Sequence, residues 1–241
     1  MLRYIDHTKM GKGLHGWLES HFHFSFAEYF NPDNVQFGVL RVLNDDLVQP
    51  GEGFRAHPHK DMEIISYVVD GELSHKDSMG NMHTLTRGYV QYMSAGTGVI
   101  HSEMNNGKEP LRFFQMWILP EKKDRHPDYG DYRFAWGDRI GRWLPIATRH
   151  DTGNDAPIKI NADANVYVTY LNAGETIKFE VDENRQAYMA LIEGDAKVEY
   201  INMVERDALE IVGQDVHITT EHGAHIYMIE MARDVPYDEG N

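Results

Sequence analysis

GEGFRAHPHKDMEIISYVVDG, residues 51–71, sets a frame that recurs further along the chain. Gly51 is followed by His57, His59, Glu63 and Gly71. The same offsets return 123 residues on as Gly174, Glu180, Asp182, Gln186 and Gly194. The segments before the closing glycines also match in character, IISYVVDG (64–71) against AYMALIEG (187–194). Two matched glycines framing similar strands predict a duplicated β domain. The predicted limits are 1–133 for the first domain, 134–155 for a Gly- and Asp-containing join, and 156–241 for the second.

Outside the frame the pattern is also β. Turn residues such as Asn44-Asp45-Asp46, Asp70-Gly71 and Gly80-Asn81 alternate with short runs rich in β-branched and aromatic residues, as in 64–69 and 113–119. Short strands at this spacing predict an all-β sandwich or barrel. The segment 21–30 alternates, with Phe22, Phe24, Phe26 and Phe30 on one side and His21, His23, Ser25 and Ala27 on the other, and reads as a half-buried strand. The best helical candidate is a weak one at 156–165.

Composition narrows the functional classes. The 241 residues carry a formal net charge of −15. That field repels phosphate backbones and argues against direct nucleic-acid binding. No apolar run is long enough to predict a membrane span, and residues 1–16 do not read as a secretory signal. The absence of cysteine excludes disulfides, thiolate metal sites and cysteine nucleophiles. It fits a cytoplasmic protein.

His57 and His59 are two apart, so in a strand both imidazoles face one way, ~6.6–7 Å apart. Pro58 puts them at an edge or strand end. The spacing alone is permissive, since His21 and His23 share it. A second pattern follows at Gly88, Gly96, Gly98, His101, Glu103 and Asn105. Three imidazoles and one carboxylate on neighbouring strands suit a divalent transition metal with open coordination positions. Spacing equally nominates Glu63 for the carboxylate.

Residues 51–71 match the first cupin motif with one extra residue before the last glycine, and 88–105 match the second more loosely, with Ser94 where proline is usual and His101 late. Both departures, with HFSFA (23–27), HPHKDME (57–63), HKDSMGN (75–81) and MSAGTGVIHSE (93–103), resemble the pirin family, in particular its bacterial quercetinases. The resemblance covers the first domain and, more weakly, the second. It implies a bicupin of two double-stranded β-helix barrels. It implies a metal held by His57, His59, His101 and Glu103, with Glu63 structural or in support. It implies iron(II), with manganese, nickel, copper, cobalt or zinc as substitutes. The implied activity is 2,3-dioxygenation of a flavonol such as quercetin by O2 with loss of carbon monoxide, Glu103 taking the hydroxyl proton. Regulatory members of the family imply an alternative, a metal- or redox-sensing protein acting through a protein partner. A cupin sugar isomerase or epimerase is a third reading.

The second half has Glu180, Asp182 and Gln186 where the first has its motif residues, and His217, His222 and His225 without the glycine frame. A structural, metal-free domain is expected there. His75 and His83 are expected to be solvated loop histidines. Met79, Met82, Met93, Met104 and Met116 are expected to fill core gaps.

Overall fold

A computed structural model describes residues 1–150 and 155–233. The described residues contain strands and two 3-10 turns but no α-helix. No helix is long and apolar enough to cross a membrane. The chain forms two compact units. One takes Met10–Phe134 with Ile160–Ala162; the other takes Met1–Lys9, Ala135–Lys159 and 163–233. Relative to the expected limits, the first nine residues join the second unit, because β1 (Leu2–Ile5) pairs with a strand at Ala208–Val212.

The first unit contains β2 (Gly11–Leu14), β3 (Leu18–Phe22), β4 (Leu40–Val48), β5 (Gly53–His59), β6 (Glu63–Asp70), β7 (Leu73–Asp77), β8 (Met82–Leu85), β9 (Val90–Ser94), β10 (Val99–Met104), β11 (Leu111–Ile118) and β12 (Asp128–Tyr132). They form a sheet ordered β12-β9-β6-β11-β4-β3-β2 and a smaller one ordered β5-β10-β7-β8. The second unit adds β13 (Leu144–Arg149), β14 (Ile158–Ile160), β15 (Ala164–Leu171), β16 (Thr176–Phe179), β17 (Arg185–Val198), β18 (Ile201–Val204), β19 (Ala208–Val212), β20 (Val216–Thr219) and β21 (Ala224–Ala232). Its large sheet, extended by β1 at one end and β14 at the other, runs β19-β17-β21-β15-β13 between them, and its small one β16-β20-β17-β18. Strand for strand these orders repeat β9-β6-β11-β4-β3 and β5-β10-β7-β8, with β17 serving as both β6 and β7. The two units thus share one cupin topology.

The framing glycines have a steric reason. Gly51 and Gly174 sit at φ +78° and +79°, and Gly71 and Gly194 at +80° and +87°. These are left-handed conformations that side chains disfavour. A Cβ on Gly71 would lie 2.6 Å from the Pro110 carbonyl oxygen, and one on Gly194 closer still to that of Gly223. Around Gly51 there is open space. Gly71→Ala is therefore expected to cost about 1–3 kcal/mol from strain, and more than Gly51→Ala. Urea denaturation midpoints measure both; equal costs would remove the steric explanation.

Four local expectations change. Residues 156–165 are not helical: burial alternates residue by residue from Ala156 to Ala164, and the β-branched Ile158 and Ile160 point inward. The strand expected over 21–30 ends at Phe22, both sides of 21–25 are buried, and the chain turns at Phe26–Tyr29. The Asn34 side chain donates to the His23 carbonyl at 2.8 Å and holds the exit. Met93 and Met116 are core, but Met79 and Met82 are exposed beside the Gly80 turn. His75 is not a loop histidine; it lies on β7 and is 1% exposed.

Candidate metal centre

Strands β5 and β10 pair antiparallel, with His101 opposite His57 and Val99 opposite His59. This register collects the three imidazoles. Ring centroids are 4.7 Å apart for His57–His59, 4.6 Å for His57–His101 and 4.9 Å for His59–His101. Their ligand atoms lie within 4.8 Å of one another. On the other side of β10, Glu103 is opposite His75 and His101 opposite Asp77. His75, His101 and Glu103 form a second trio within the same limit, so His101 belongs to both.

Two features orient the candidate ligands. His57 Nδ1–H donates to the Arg55 carbonyl at 2.7 Å, which leaves Nε2 for a cation. The Trp117 ring stands edge-on to His59 at 4.8 Å. Both nitrogens of His101 are buried without a hydrogen-bond partner. Leaving such groups unsatisfied costs about 1–3 kcal/mol each. A lone pair turned to a cation removes that cost for one of the two nitrogens. The residues therefore fit a divalent transition metal.

Glu103 is held from below by a polar row. Ser66, Gln91 and Gln115 occupy one register line across β6, β9 and β11. Ser66 Oγ donates to Glu103 Oε1 at 2.7 Å; Gln91 Nε2 donates to the same oxygen and Gln115 Nε2 to Oε2. Sequence reasoning missed this row. Its signal was a single polar residue inside each of three apolar strands: Ser66 in IISYVV, Gln91 in VQYM and Gln115 in FFQMW. In the second unit the corresponding register line reads Leu209, Met189 and Met228. Those residues belong to an apolar core with Leu191, Ile218 and Ile226.

Glu63 is engaged elsewhere. Its carboxylate accepts from Tyr92 at 2.7 Å, Ser94 at 2.6 Å and the Asn161 backbone at 3.0 Å. In the second unit Glu180 and Asp182 are exposed and Gln186 is buried. His217 and His222 are exposed beside Glu199 and Asp195; His225 is buried with its Nδ1 2.9 Å from Glu193. His75 adds a layer the sequence did not reveal: its Nε2 is 3.1 Å from Asp77, and its ring stacks on Tyr129 at 4.6 Å. His83, on β8, is exposed, with its Nδ1 3.1 Å from Asp131.

Burial and the neighbouring imidazoles pull His59 down to about 4 and His101 to about 3. Both are neutral at pH 7, as metal ligands must be. Burial pushes Glu103 up, opposed by the Ser66 hydrogen bond and the histidines. Imidazole NMR of metal-free protein at about pH 5.5 should find His59 and His101 uncharged, where an ordinary histidine is mostly protonated. Protonated rings there would contradict the desolvated cluster. Ser66→Ala is expected to lower metal affinity about 10-fold, as losses of supporting hydrogen bonds do. Competition with a chromophoric chelator measures it; unchanged affinity would mean that the carboxylate does not need its cradle.

A cavity of about 670 Å³ opens beside the cluster, lined by His57 and His59 and by Trp17, Phe22, Phe26, Phe54 and Trp117. Comparison with known proteins fits this geometry. The sequence profile of the pirin family matches residues 5–118, and that of the quercetinase C-terminal cupin domain matches 147–231. A pirin-like protein of Caulobacter vibrioides is 40% identical over 225 residues, 93% of this chain and 97% of that one. The chain belongs to the pirin family. Another relative of this pirin-family chain, quercetin 2,3-dioxygenase of Escherichia coli K12, is 37% identical over 206 residues, 85% of this chain and 87% of its own. The crystal structure of the bacterial pirin YhhW from Escherichia coli in complex with nickel(II) superposes with a TM-score of 0.90 at 32% identity, covering 97% of this chain and all of that one. This pirin-family chain is accordingly a bicupin.

Proposed function

We propose that this protein is a metal-dependent dioxygenase that opens flavonols such as quercetin at the 2,3 position, and that His57, His59, His101 and Glu103 hold its metal, iron(II) in the cell. The observation that carries this reading is the imidazole trio beside an aromatic-walled cavity of about 670 Å³. That volume lies within the range of small-molecule sites, roughly 300–1,000 Å³. The relatives named quercetin 2,3-dioxygenase, and the nickel complex of a family member, support it.

When bound, the metal supplies Lewis acidity at the substrate oxygens and a template for dioxygen. The chain does the rest. Trp17, Phe26, Phe54 and Trp117 offer ring faces and edges to a flat aromatic substrate and keep water away. Glu103 is the proton acceptor for the flavonol 3-hydroxyl, since burial raises its basicity. The polar row beneath fixes its oxygens so that proton transfer needs no rearrangement. In the overall reaction both oxygen atoms of O2 enter the organic product, and one ring carbon leaves with its oxygen as carbon monoxide. The chain has no cysteine, which suits a reducing compartment, and on that ground we assign the activity to the cytoplasm.

Aerobic incubation of iron-loaded protein with quercetin tests the reading. The expected result is loss of flavonol absorbance with carbon monoxide released one for one. Fully loaded protein that produces neither would overturn it.

A further inference from the structure

The cavity has a polar wall that the metal centre does not use. Asn44 and Asp46 on β4 and Ser20 on β3 line the same space as His57 and His59. The register places Asn44 beside Gln115, which donates to Glu103, and Asp46 beside Ser20. The wall thus begins one strand from the row that grips Glu103, about 4.8 Å away. It extends one two-residue step further, ~6.6–7 Å.

The three residues are at most 2% exposed. Buried polar side chains are normally paired, so what these three bond to needs an explanation. Ser20 Oγ donates to Asp46 Oδ1, the one side-chain hydrogen bond this carboxyl makes among the described residues. Asn44 Oδ1 is buried with no partner at all. Asn44 lines the cavity, so a turn of its amide brings this bare acceptor to a donor carried by the ligand. The same cavity is lined by the rings of Trp17, Phe26, Phe54 and Trp117, so the ligand that satisfies both kinds of lining is a flat aromatic bearing hydroxyls.

We propose that Ser20, Asn44 and Asp46 form a hydroxyl-recognition wall, which selects aromatic substrates carrying hydroxyl groups remote from the atoms that meet the metal. The assignment to flavonols rests on the dioxygenase reading; the hydrogen-bonding class of ligand does not. Asn44 Oδ1 accepts from one remote hydroxyl, and Asp46, oriented by Ser20, engages a second. Burial raises Asp46 to about 7, so near neutral pH its carboxyl both donates and accepts.

Equilibrium binding to metal-loaded protein, read by quenching of Trp17 and Trp117 fluorescence, tests the wall without turnover. The probes are quercetin and 3-hydroxyflavone, which share the chelating head and differ in the remote hydroxyls. The expected result is about tenfold tighter binding of quercetin, as two modest hydrogen bonds supply. Asn44→Leu and Asp46→Leu, each of which removes the donor and acceptor atoms at near-constant volume, are each expected to bring that ratio to roughly 2–3, with 3-hydroxyflavone affinity unchanged. Ser20→Ala, which removes one oxygen atom, gives a third measurement should either of the others fail to fold. A wild-type ratio near one, or a ratio preserved in the folded variants, overturns the proposal. Discrimination without carbon monoxide release would sink the dioxygenase reading and leave the wall standing. Turnover without discrimination would do the reverse.

Discussion

His101→Ala is expected to abolish stable metal binding while leaving the metal-free protein folded. His101 is the one residue common to both trios of candidate ligands, and it is 2% exposed. Loss of a group that merely supports a ligand already costs 10–100-fold in affinity, so loss of this imidazole should cost at least about 100-fold. The effect on the metal-free fold is of a different kind. Both ring nitrogens lack partners, so removing them relieves a desolvation cost of about 1–3 kcal/mol each. That relief offsets the cavity left by the truncated side chain. Thermal melts with and without added iron or nickel separate the two effects. Wild type should gain stability from metal, by about 4 kcal/mol at a concentration 1,000 times Kd. The variant should gain none. One equivalent of metal retained with unchanged affinity would remove His101 from the ligand set.

Glu103→Gln should lower flavonol turnover by about 10²–10⁴-fold, the range assigned to a positioned acid or base. The choice of glutamine matters. Glu103 receives hydrogen bonds from Ser66, Gln91 and Gln115, so alanine would strand three buried donors. Glutamine converts only one acceptor into a donor. Gln91 can meet that donor by turning its amide, because its own Oε1 has no partner. The fold should therefore survive, and the loss should appear in turnover and metal affinity. Rates measured at saturating metal separate the two. A Glu103→Gln protein that turns over quercetin at the wild-type rate would end the proton-acceptor role.

Both predictions concern β10, and the sequence was informative about that strand to an uneven degree. The two-residue spacings of His57–His59 and His101–Glu103 were legible because strand periodicity is local: alternate residues share a face wherever the strand lies. The glycine frame was legible for the same reason, since a left-handed turn is written in one residue. Segment 156–165 carries a weak helical pattern, but its isoleucines alternate with exposed or half-buried residues, and burial of Ile158 and Ile160 decides for extended chain. His75 was misread because its neighbours Gly80 and Asn81 are turn residues. In fact β7 continues through Asp77 before the turn begins.

Residue spacing alone determined that the chain would build two related β units and that three histidines could face a common point. It left Glu63 and Glu103 as equal candidates for the carboxylate. Tertiary structure gave them different surroundings, placing Glu63 against Tyr92, Ser94 and Asn161 and Glu103 above Ser66, Gln91 and Gln115, beside His101. The reason is register. Which residue on one strand faces which on the next depends on pairings between segments tens of residues apart, and no short-range pattern encodes them.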